Sequence, residues 1–136
     1  LVGMNYLLDT NTCIRFINGR APNIRDRFLS VDRQDIAVSS ITKAEMYFGS
    51  TKSQFPEISR TKQDRFLNGL TTISFDDAAA HVYGPIRASL EKSGTPMGQL
   101  DTLIAAVAIA HNLILVTHNT REFARITSLR IEDWET

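Results

Sequence analysis

Short apolar runs alternate with longer stretches of helical periodicity along this chain, and the alternation predicts strands separated by helices. Runs of apolar and β-branched residues predict five strands, at residues 5–9, 36–40, 71–75, 113–117 and 129–132. Apolar residues at helical spacing predict helices at residues 13–17, 22–29, 43–48, 57–70, 76–90 and 99–110, and a short helical turn at 120–123. Strands separated by helices indicate an α/β domain with a central, mainly parallel sheet of about five strands.

Glycine, proline and hydroxyl residues predict where these helices begin and end. Asn18-Gly19 is expected to end the first helix and Gly49 the third, because glycine tolerates the left-handed backbone conformation found after helices. Ser40 or Thr42 is expected to cap the start of the third helix. Gly84-Pro85 predicts a kink in the long helix at 76–90.

Composition narrows the class of protein. A chain of 136 residues is the size of one domain, and we expect a single domain over residues 4–136. Residues 1–3 precede a methionine, and we expect that they remain from expression. No apolar run reaches the roughly 18 residues of a membrane span. The lone Cys13 excludes an internal disulfide framework and favours a reducing cytoplasm.

Charge is balanced overall, with 15 Lys and Arg against 15 Asp and Glu. A net charge of zero argues against broad, non-specific adhesion to nucleic acids, although basic and acidic residues can still be segregated on different faces.

Carboxylates follow the predicted strands. Asp9 ends the first strand, Glu45 follows the second, Asp101 interrupts the start of the apolar helix at 99–110, and Asn119 and Glu122 follow the fourth strand. Because the carboxyl ends of parallel strands meet at one edge of the sheet, these side chains are expected to share one pocket.

Such a cluster needs a neutralising partner. Two negative charges about 4 Å apart repel by roughly 4 kcal/mol at an effective dielectric constant of 20. Mg²⁺ or Mn²⁺ is the simplest partner, because these ions prefer carboxylate oxygens and water. A zinc site is not predicted, since the chain's cysteine and histidines are scattered at positions 13, 81, 111 and 118.

Each acid also has an ordinary structural explanation. Asp9 can cap the next helix, Thr42-Lys-Ala-Glu45 matches a capping box, and Asp101 can interact with the dipole of its helix. Glu122 can be a solvated surface residue. Only the combined pattern favours a functional site.

At these positions the sequence resembles the PIN-domain ribonucleases, specifically the VapC-type toxins of bacterial toxin–antitoxin pairs. The matching stretches are residues 7–11, 39–46 with Gly49, 94–101 leading into 104–106, 116–123 and 131–134. The resemblance covers essentially the whole chain from Met4, and the first four of these stretches, in this order and spacing, make it specific.

The resemblance implies a PIN-like fold, a central parallel sheet flanked by helices, with an acidic pocket that holds Mg²⁺ or Mn²⁺ and cleaves RNA endonucleolytically. It implies that Asp9, Glu45 and Asp101 are the core catalytic acids and the metal ligands. A fourth acid often follows the fourth strand in the family, and that position is Asn119 here. Glu122 is expected to supply the missing carboxylate.

The resemblance also implies partners. The expected substrate is structured RNA, in particular a tRNA, and the similarity to the subgroup acting on initiator tRNA points to its anticodon stem-loop. A VapB-type antitoxin is expected to inhibit the enzyme and to contact operator DNA, so that the toxin reaches DNA only indirectly. A cytoplasmic homodimer is expected, without a membrane partner.

Supporting residues follow from the same placement. The basic residues adjacent in sequence to the predicted site elements are Arg15, Arg20, Lys43, Arg87 and Arg121. Side chains that could orient the catalytic groups are Asn11, Ser39, Thr42 and Thr117, for which capping is the favoured interpretation. The apolar residues Ile14, Phe16, Ile17, Met46, Tyr47 and Phe48 are expected to pack in the core, with a remainder left for an antitoxin groove.

Two alternatives remain open. One is a haloacid-dehalogenase-like phosphatase with Asp9 as nucleophile, but such enzymes need an acid at position 11, where this chain has Asn11. The other is a catalytically inactive PIN module that only binds a partner. Asn119 supports this alternative, and the presence of Asp9, Glu45 and Asp101 together argues against it.

Overall fold

Five parallel strands form the centre of the molecule. The computed structural model describes residues 5–136. The strands are β1 (Tyr6–Leu8), β2 (Ile36–Ser39), β3 (Thr71–Ile73), β4 (Ile114–Val116) and β5 (Ile131–Glu132). Their order in the sheet is β3-β2-β1-β4-β5, and every neighbouring pair is parallel. The α/β fold with a parallel sheet is therefore confirmed.

Seven α-helices connect and flank the strands in residues 5–136. They are α1 (Thr10–Ile17), α2 (Pro22–Ser30), α3 (Ser40–Thr51), α4 (Pro56–Leu67), α5 (Asp77–Lys92), α6 (Gln99–Ala110) and α7 (Thr120–Phe123). A short 3-10 turn at Arg33–Asp35, which the sequence pattern did not predict, leads into β2.

Alternating residues of the strands build a core on each face of the sheet. Leu7 of β1 packs with α5 and α6, in a cluster that includes Ile104 and Phe123. Leu8 faces the opposite way and packs with α1, α2, α3 and α4, in a cluster that includes Met46 and Trp134. Because successive side chains of a strand point to opposite faces, a sheet buried on both faces has continuous apolar strands.

The register of the sheet aligns the strand ends that carry the site. Leu8 of β1 lies opposite Val38 of β2 and Val116 of β4. The residues that follow these three positions therefore emerge at the same edge, as the strand order requires.

Helix boundaries were predicted less well than the strands. Asn18 and Gly19 end α1 as expected, and Gly19 has a φ of +65°. The prediction that Gly49 ends the third helix is wrong, because α3 continues to Thr51. The prediction of 57–70 for the fourth helix is too long, since α4 ends at Leu67.

The start of α3 also differs from the prediction. Ser39 caps this helix, and its hydroxyl accepts a hydrogen bond of 3.1 Å from the backbone N–H of Thr42. Neither Ser40 nor Thr42 is the cap, so the capping box from Thr42 to Glu45 is not formed. Capping of α3 therefore does not explain the presence of an acid at Glu45.

Within residues 5–136 no helix has the length and hydrophobicity needed to cross a membrane. The expectation about residues 1–3 concerns positions outside the described part of the chain.

Candidate active site

Asp9 lies at the end of β1 and caps α1. Its Oδ1 accepts a hydrogen bond of 2.8 Å from the backbone N–H of Thr12, and its own N–H donates to the carbonyl oxygen of Val116 at 3.0 Å. The residue is 4% exposed, and this burial raises the pKa of its carboxyl group, while hydrogen bonds from Thr117 and Thr12 oppose the shift. Capping is thus a real role of Asp9, and it also fixes the carboxylate at the strand edge.

Glu45 lies in the second turn of α3, beside the start of α1. Thr10 donates a hydrogen bond of 2.5 Å from its Oγ1 to Oε1 of Glu45. The same hydroxyl lies 3.2 Å from Oγ1 of Thr42, which in turn lies 3.4 Å from Oγ of Ser39. These buried hydroxyls connect the ends of β1 and β2 and hold Glu45 near Asp9.

Asp101 lies in the first turn of α6 and is half-buried. Its pKa is raised to about 6, mainly by burial and then by the negative charges of Asp9, Glu45 and Glu122, in that order of effect. A carboxyl group can be shifted by three other acids only if all of them lie within electrostatic range. Asp9, Glu45 and Glu122 therefore all lie within electrostatic range of Asp101.

Asn119 and Glu122 approach from the other side, after β4. The Asn119 side-chain amide donates a hydrogen bond of 2.8 Å to Oε2 of Glu122, and its backbone N–H donates to Thr117 Oγ1 at 3.0 Å. Arg125 lies 4.0 Å from the other oxygen of Glu122. Asn119 thus orients Glu122, whose charge reaches Asp101.

Of the side chains predicted for the site, Asp9, Glu45 and Glu122 each act electrostatically on Asp101, and Asn119 is hydrogen-bonded to Glu122. Among the supporting residues, Ser39, Thr42 and Thr117 are fully buried in this region, whereas Asn11 is exposed. The involvement of Thr10, Thr12 and Glu135 was not predicted. Thr10 and Thr12 lie in the stretch that carries Asp9, but no local signal distinguishes Glu135 in the sequence.

The donor chemistry of the pocket fits a hard divalent cation. Asp9 and Asp101 are carboxylates in a region where burial and mutual repulsion disfavour negative charge, and a cation relieves both effects. Over residues 5–136, no group of three or more His, Cys, Asp or Glu side chains is arranged to hold a metal ion. Two carboxylates with water and substrate phosphate are nevertheless a usual environment for Mg²⁺.

Comparison with known families agrees with this arrangement of fold and acidic residues. The family model described as PIN domain matches residues 6–129, which is most of the chain. The chain belongs to the PIN-domain family.

Similar proteins assign this chain to a narrower group within the PIN-domain family. The tRNA(fMet)-specific endonuclease VapC of Shigella flexneri is 40% identical over 131 residues, which cover 96% of this chain and 98% of the relative. Ribonuclease VapC2 of Rickettsia felis is 41% identical over 133 residues, covering 97% and 99%. Within the PIN-domain family, this chain is a member of the VapC group.

Solved structures agree. The crystal structure of DNA-bound VapBC from Salmonella typhimurium contains a chain with 41% sequence identity and a TM-score of 0.91, and the match covers 96% of this chain and 98% of that one. The structure of VapBC2 from Rickettsia felis bound to a promoter DNA fragment gives a TM-score of 0.90 at 39% identity, covering 96% and 99%.

Proposed function

We propose that this chain is the toxin of a bacterial toxin–antitoxin pair, an Mg²⁺- or Mn²⁺-dependent endoribonuclease that cleaves the anticodon stem-loop of initiator tRNA. The observation that carries the proposal is the convergence of Asp9, Glu45 and Glu122 on Asp101, from four separate elements of the fold. The name of the Shigella flexneri relative supports initiator tRNA as the substrate. The titles of the VapBC structures support an antitoxin partner.

The proposed reaction is hydrolysis of a phosphodiester bond. Water adds to phosphorus, the bond from phosphorus to the leaving ribose oxygen breaks, a carboxylate of the pocket accepts the proton of the water, and the leaving oxygen takes up a proton from solvent, so that a phosphomonoester and a ribose hydroxyl are formed. Asp9 and Asp101, with Glu45 beside them, would hold a divalent ion, which would supply Lewis acidity and neutralise charge on the phosphate. Thr12 and Thr117 fix Asp9, Thr10 fixes Glu45, and Asn119 fixes Glu122, so that few side chains must reorganise for reaction.

Cleavage of an initiator tRNA transcript by the purified chain tests this proposal. We expect cleavage with Mg²⁺ or Mn²⁺, none with EDTA, and a loss of at least about a hundredfold for Asp9→Asn or Asp101→Asn. Asp9→Asn is preferred to alanine because asparagine also caps helices well. Asp26→Asn, on the exposed surface of α2, is the control and should cleave normally. An intact transcript with wild-type protein and Mg²⁺ would indicate the inactive binding module instead.

The phosphatase alternative has no support in the structure. Asn11, which stands where that chemistry needs an acid, is exposed, and the family match is to PIN domains. Release of phosphate from a monoester without RNA cleavage would restore it.

A groove beside the active site supports the antitoxin part of the proposal. It lies between α1, α3 and α4, has a volume of about 270 Å³, and is lined by Ile14, Ile17, Met46 and Gln63 among others, with Glu45 at its edge. Because Glu45 lines the groove, a peptide bound in it would contact one of the proposed catalytic acids. Met46 is fully buried, whereas Ile14 is 37% exposed and accessible to a partner.

Substitution at the edge of the groove tests the partner. Ile14→Glu should weaken inhibition by the cognate VapB-type protein at least tenfold, because it places a charge against an apolar segment. RNA cleavage by the free variant should change little. Leu29→Glu, an exposed leucine on α2 away from the groove, is the matched control. Equal inhibition of Ile14→Glu and Leu29→Glu would show that the antitoxin binds elsewhere.

A further inference from the structure

The C-terminal segment brings a further carboxylate to the edge of the acidic pocket. Trp134 anchors this segment, since it is 3% exposed and packs in the same core cluster as Leu8 and Cys13. The backbone of the next residue, Glu135, is held on both sides. Its N–H donates to Asp133 Oδ1 at 2.9 Å, and its carbonyl accepts from Asn23 Nδ2 at 3.1 Å. The side chain of Glu135 is only 10% exposed, and its charge reaches Asp9.

Glu135 forms an ion pair with Arg15. Nε of Arg15 lies 2.9 Å from Oε2 of Glu135, and both atoms are buried. The N–H direction does not satisfy hydrogen-bond geometry, so the contact is electrostatic and commits no donor of the guanidinium. No hydrogen bond from Arg15 to another residue is found within residues 5–136, and the Arg15 side chain is 41% exposed. The guanidinium is thus fixed on one side and accessible on the other.

Arg15 lies on α1, the same helix that is capped by Asp9, the predicted metal ligand. Asp9 caps this helix, and Arg15 is six residues further, about 9 Å along the helix axis. An arginine side chain offers five N–H donors in a planar arrangement suited to phosphate oxygens. RNA entering an acidic pocket needs cations beside that pocket, because its phosphates are otherwise repelled.

We propose that Arg15 contacts a backbone phosphate of the RNA next to the cleaved one, and that Glu135 is a positioning residue that holds Arg15 there. This inference rests on the proposed function, since it assigns an RNA contact to the same site. It also gives the C-terminal segment a role in substrate binding.

Two of the other basic residues adjacent to the site elements, Arg87 and Lys43, are placed differently. Arg87 donates hydrogen bonds to Glu91 and to the Tyr83 hydroxyl on its own helix, α5. Lys43 lines a separate depression between α3 and α4, with Asp64 and Arg65. The ion pairs to compare are Arg87 with Glu91 and Arg15 with Glu135. Of these two, only the second contains a carboxylate, that of Glu135, whose charge raises the pKa of Asp9.

Binding of initiator tRNA in EDTA, where the RNA stays intact, tests the contact separately from cleavage. Arg15→Ala should raise Kd about tenfold, as expected for the loss of one charge-assisted hydrogen-bonded contact. The slope of log K against log salt should fall by about 0.7 to 0.9, the loss of one phosphate contact. Arg15→Lys should keep the slope. Arg60→Ala is the matched control, because Arg60 is 49% exposed and also ion-paired, to Asp64 on α4.

The effect of Glu135→Ala has opposite signs under the two possible roles of Glu135. If Glu135 only repelled RNA, its removal would tighten binding. Because we propose that it positions Arg15, removal should weaken binding, by less than Arg15→Ala does. The double variant should bind no more weakly than Arg15→Ala alone, since both changes act on one contact. Tighter binding by Glu135→Ala would overturn the positioning role.

Kinetics in Mg²⁺ complete the test. Arg15→Ala should raise KM about tenfold and leave kcat within about twofold, because the contact is made equally before and during reaction. Equal KM and equal salt slopes for Arg15→Ala and Arg60→Ala would overturn the assignment of Arg15. That result is distinguishable from failure of the proposed function, in which the wild-type protein itself would not cleave the RNA.

Discussion

Thr10 donates a hydrogen bond of 2.5 Å to Glu45, and this contact joins the end of β1 to the helix that follows β2. The two residues are 35 positions apart in the sequence. Thr10 follows Asp9 directly, so the position of one predicted catalytic acid is coupled to that of another. The coupling matters because two carboxylates that repel one another need a third group to hold them close.

Thr10→Val removes this hydroxyl and keeps the shape of the side chain. We expect the free energy of unfolding to fall by about 1–3 kcal/mol, because Glu45 and Thr42 lose a buried partner. We expect kcat for RNA cleavage to fall more than KM rises, since Glu45 is then free to move away from the pocket. Urea unfolding and steady-state cleavage measure the two effects.

Thr10→Ser is the control for this change, because serine keeps the donor. It should retain most of the activity. Equal losses in the serine and valine variants would mean that packing of the threonine methyl group, and not the hydrogen bond to Glu45, is responsible.

Asp101 should destabilise the metal-free protein at neutral pH. Its pKa is about 6 in the folded protein and about 3.9 when unfolded, so the folded state binds the proton more strongly. The stability that this proton confers is complete below pH 4 and is lost as the pH rises through 6. In EDTA at pH 7.5, the free energy of unfolding of Asp101→Asn should therefore exceed that of wild type by on the order of 1–2 kcal/mol after allowance for solvent screening. Denaturant titration measures this difference. At pH 4 the two should be equal.

Adding Mg²⁺ should make wild type more stable than Asp101→Asn, the opposite of the order expected in EDTA. A bound cation removes the repulsion, so the wild-type melting temperature should rise with Mg²⁺ at pH 7.5 and that of Asp101→Asn should rise less. Asp26→Asn should respond as wild type does, because Asp26 is an exposed acid on α2. A pH-independent difference between Asp101→Asn and wild type would contradict the electrostatic explanation.

The sequence predicted the strands and the main acidic residues because both depend on short-range patterns. An apolar run ending in Asp9 identifies a buried strand and the residue at its end, and a parallel sheet then determines which edge that residue joins. Asp101 was recognisable for the same reason, as a charge in the first turn of a nearly uniform apolar helix.

Helix ends and the contribution of Glu135 could not be predicted in this way. Gly49 has a strong preference for helix ends, but α3 packs against α1, α4 and α6, and this packing outweighs the preference of one residue. Glu135 reaches the site only because Trp134 anchors the chain in a core formed by residues from the rest of the sequence. No window around Glu135 contains that information.

Asn119→Asp tests whether a carboxylate at this position improves the site. Asn119 now donates a hydrogen bond to Glu122, and an aspartate there would replace this attraction with repulsion. In EDTA at pH 7.5 we expect the variant to melt at a lower temperature than wild type. In Mg²⁺ we expect half-maximal cleavage at a lower concentration of the ion, because the pocket gains an acidic oxygen donor.

Asn119→Ala separates these two effects, because it removes the hydrogen bond without adding a charge. It should require at least as much Mg²⁺ as wild type. If Asn119→Asp and Asn119→Ala shift the Mg²⁺ requirement in the same direction, Asn119 acts only by orienting Glu122.

The reactivity of the Cys13 thiol reports whether α1 stays packed against the sheet, without any substitution in the pocket. Its thiol is fully buried, and its backbone N–H donates to the carbonyl oxygen of Asp9 at 3.2 Å. Burial, and then the negative charge of Asp9, raise the pKa of the thiol well above its ordinary value, so that little reactive thiolate forms at pH 8. A disulfide reagent such as DTNB should therefore react with the folded protein at least about a hundredfold more slowly than with the urea-unfolded protein, because reaction requires opening of α1.

Mg²⁺ should slow the reaction further if the ion is held by Asp9, since opening of α1 also displaces that carboxylate. Cys13→Ser should give no signal in either state, and a fast reaction of the native wild-type protein would show that α1 does not remain packed over the sheet as the structure places it.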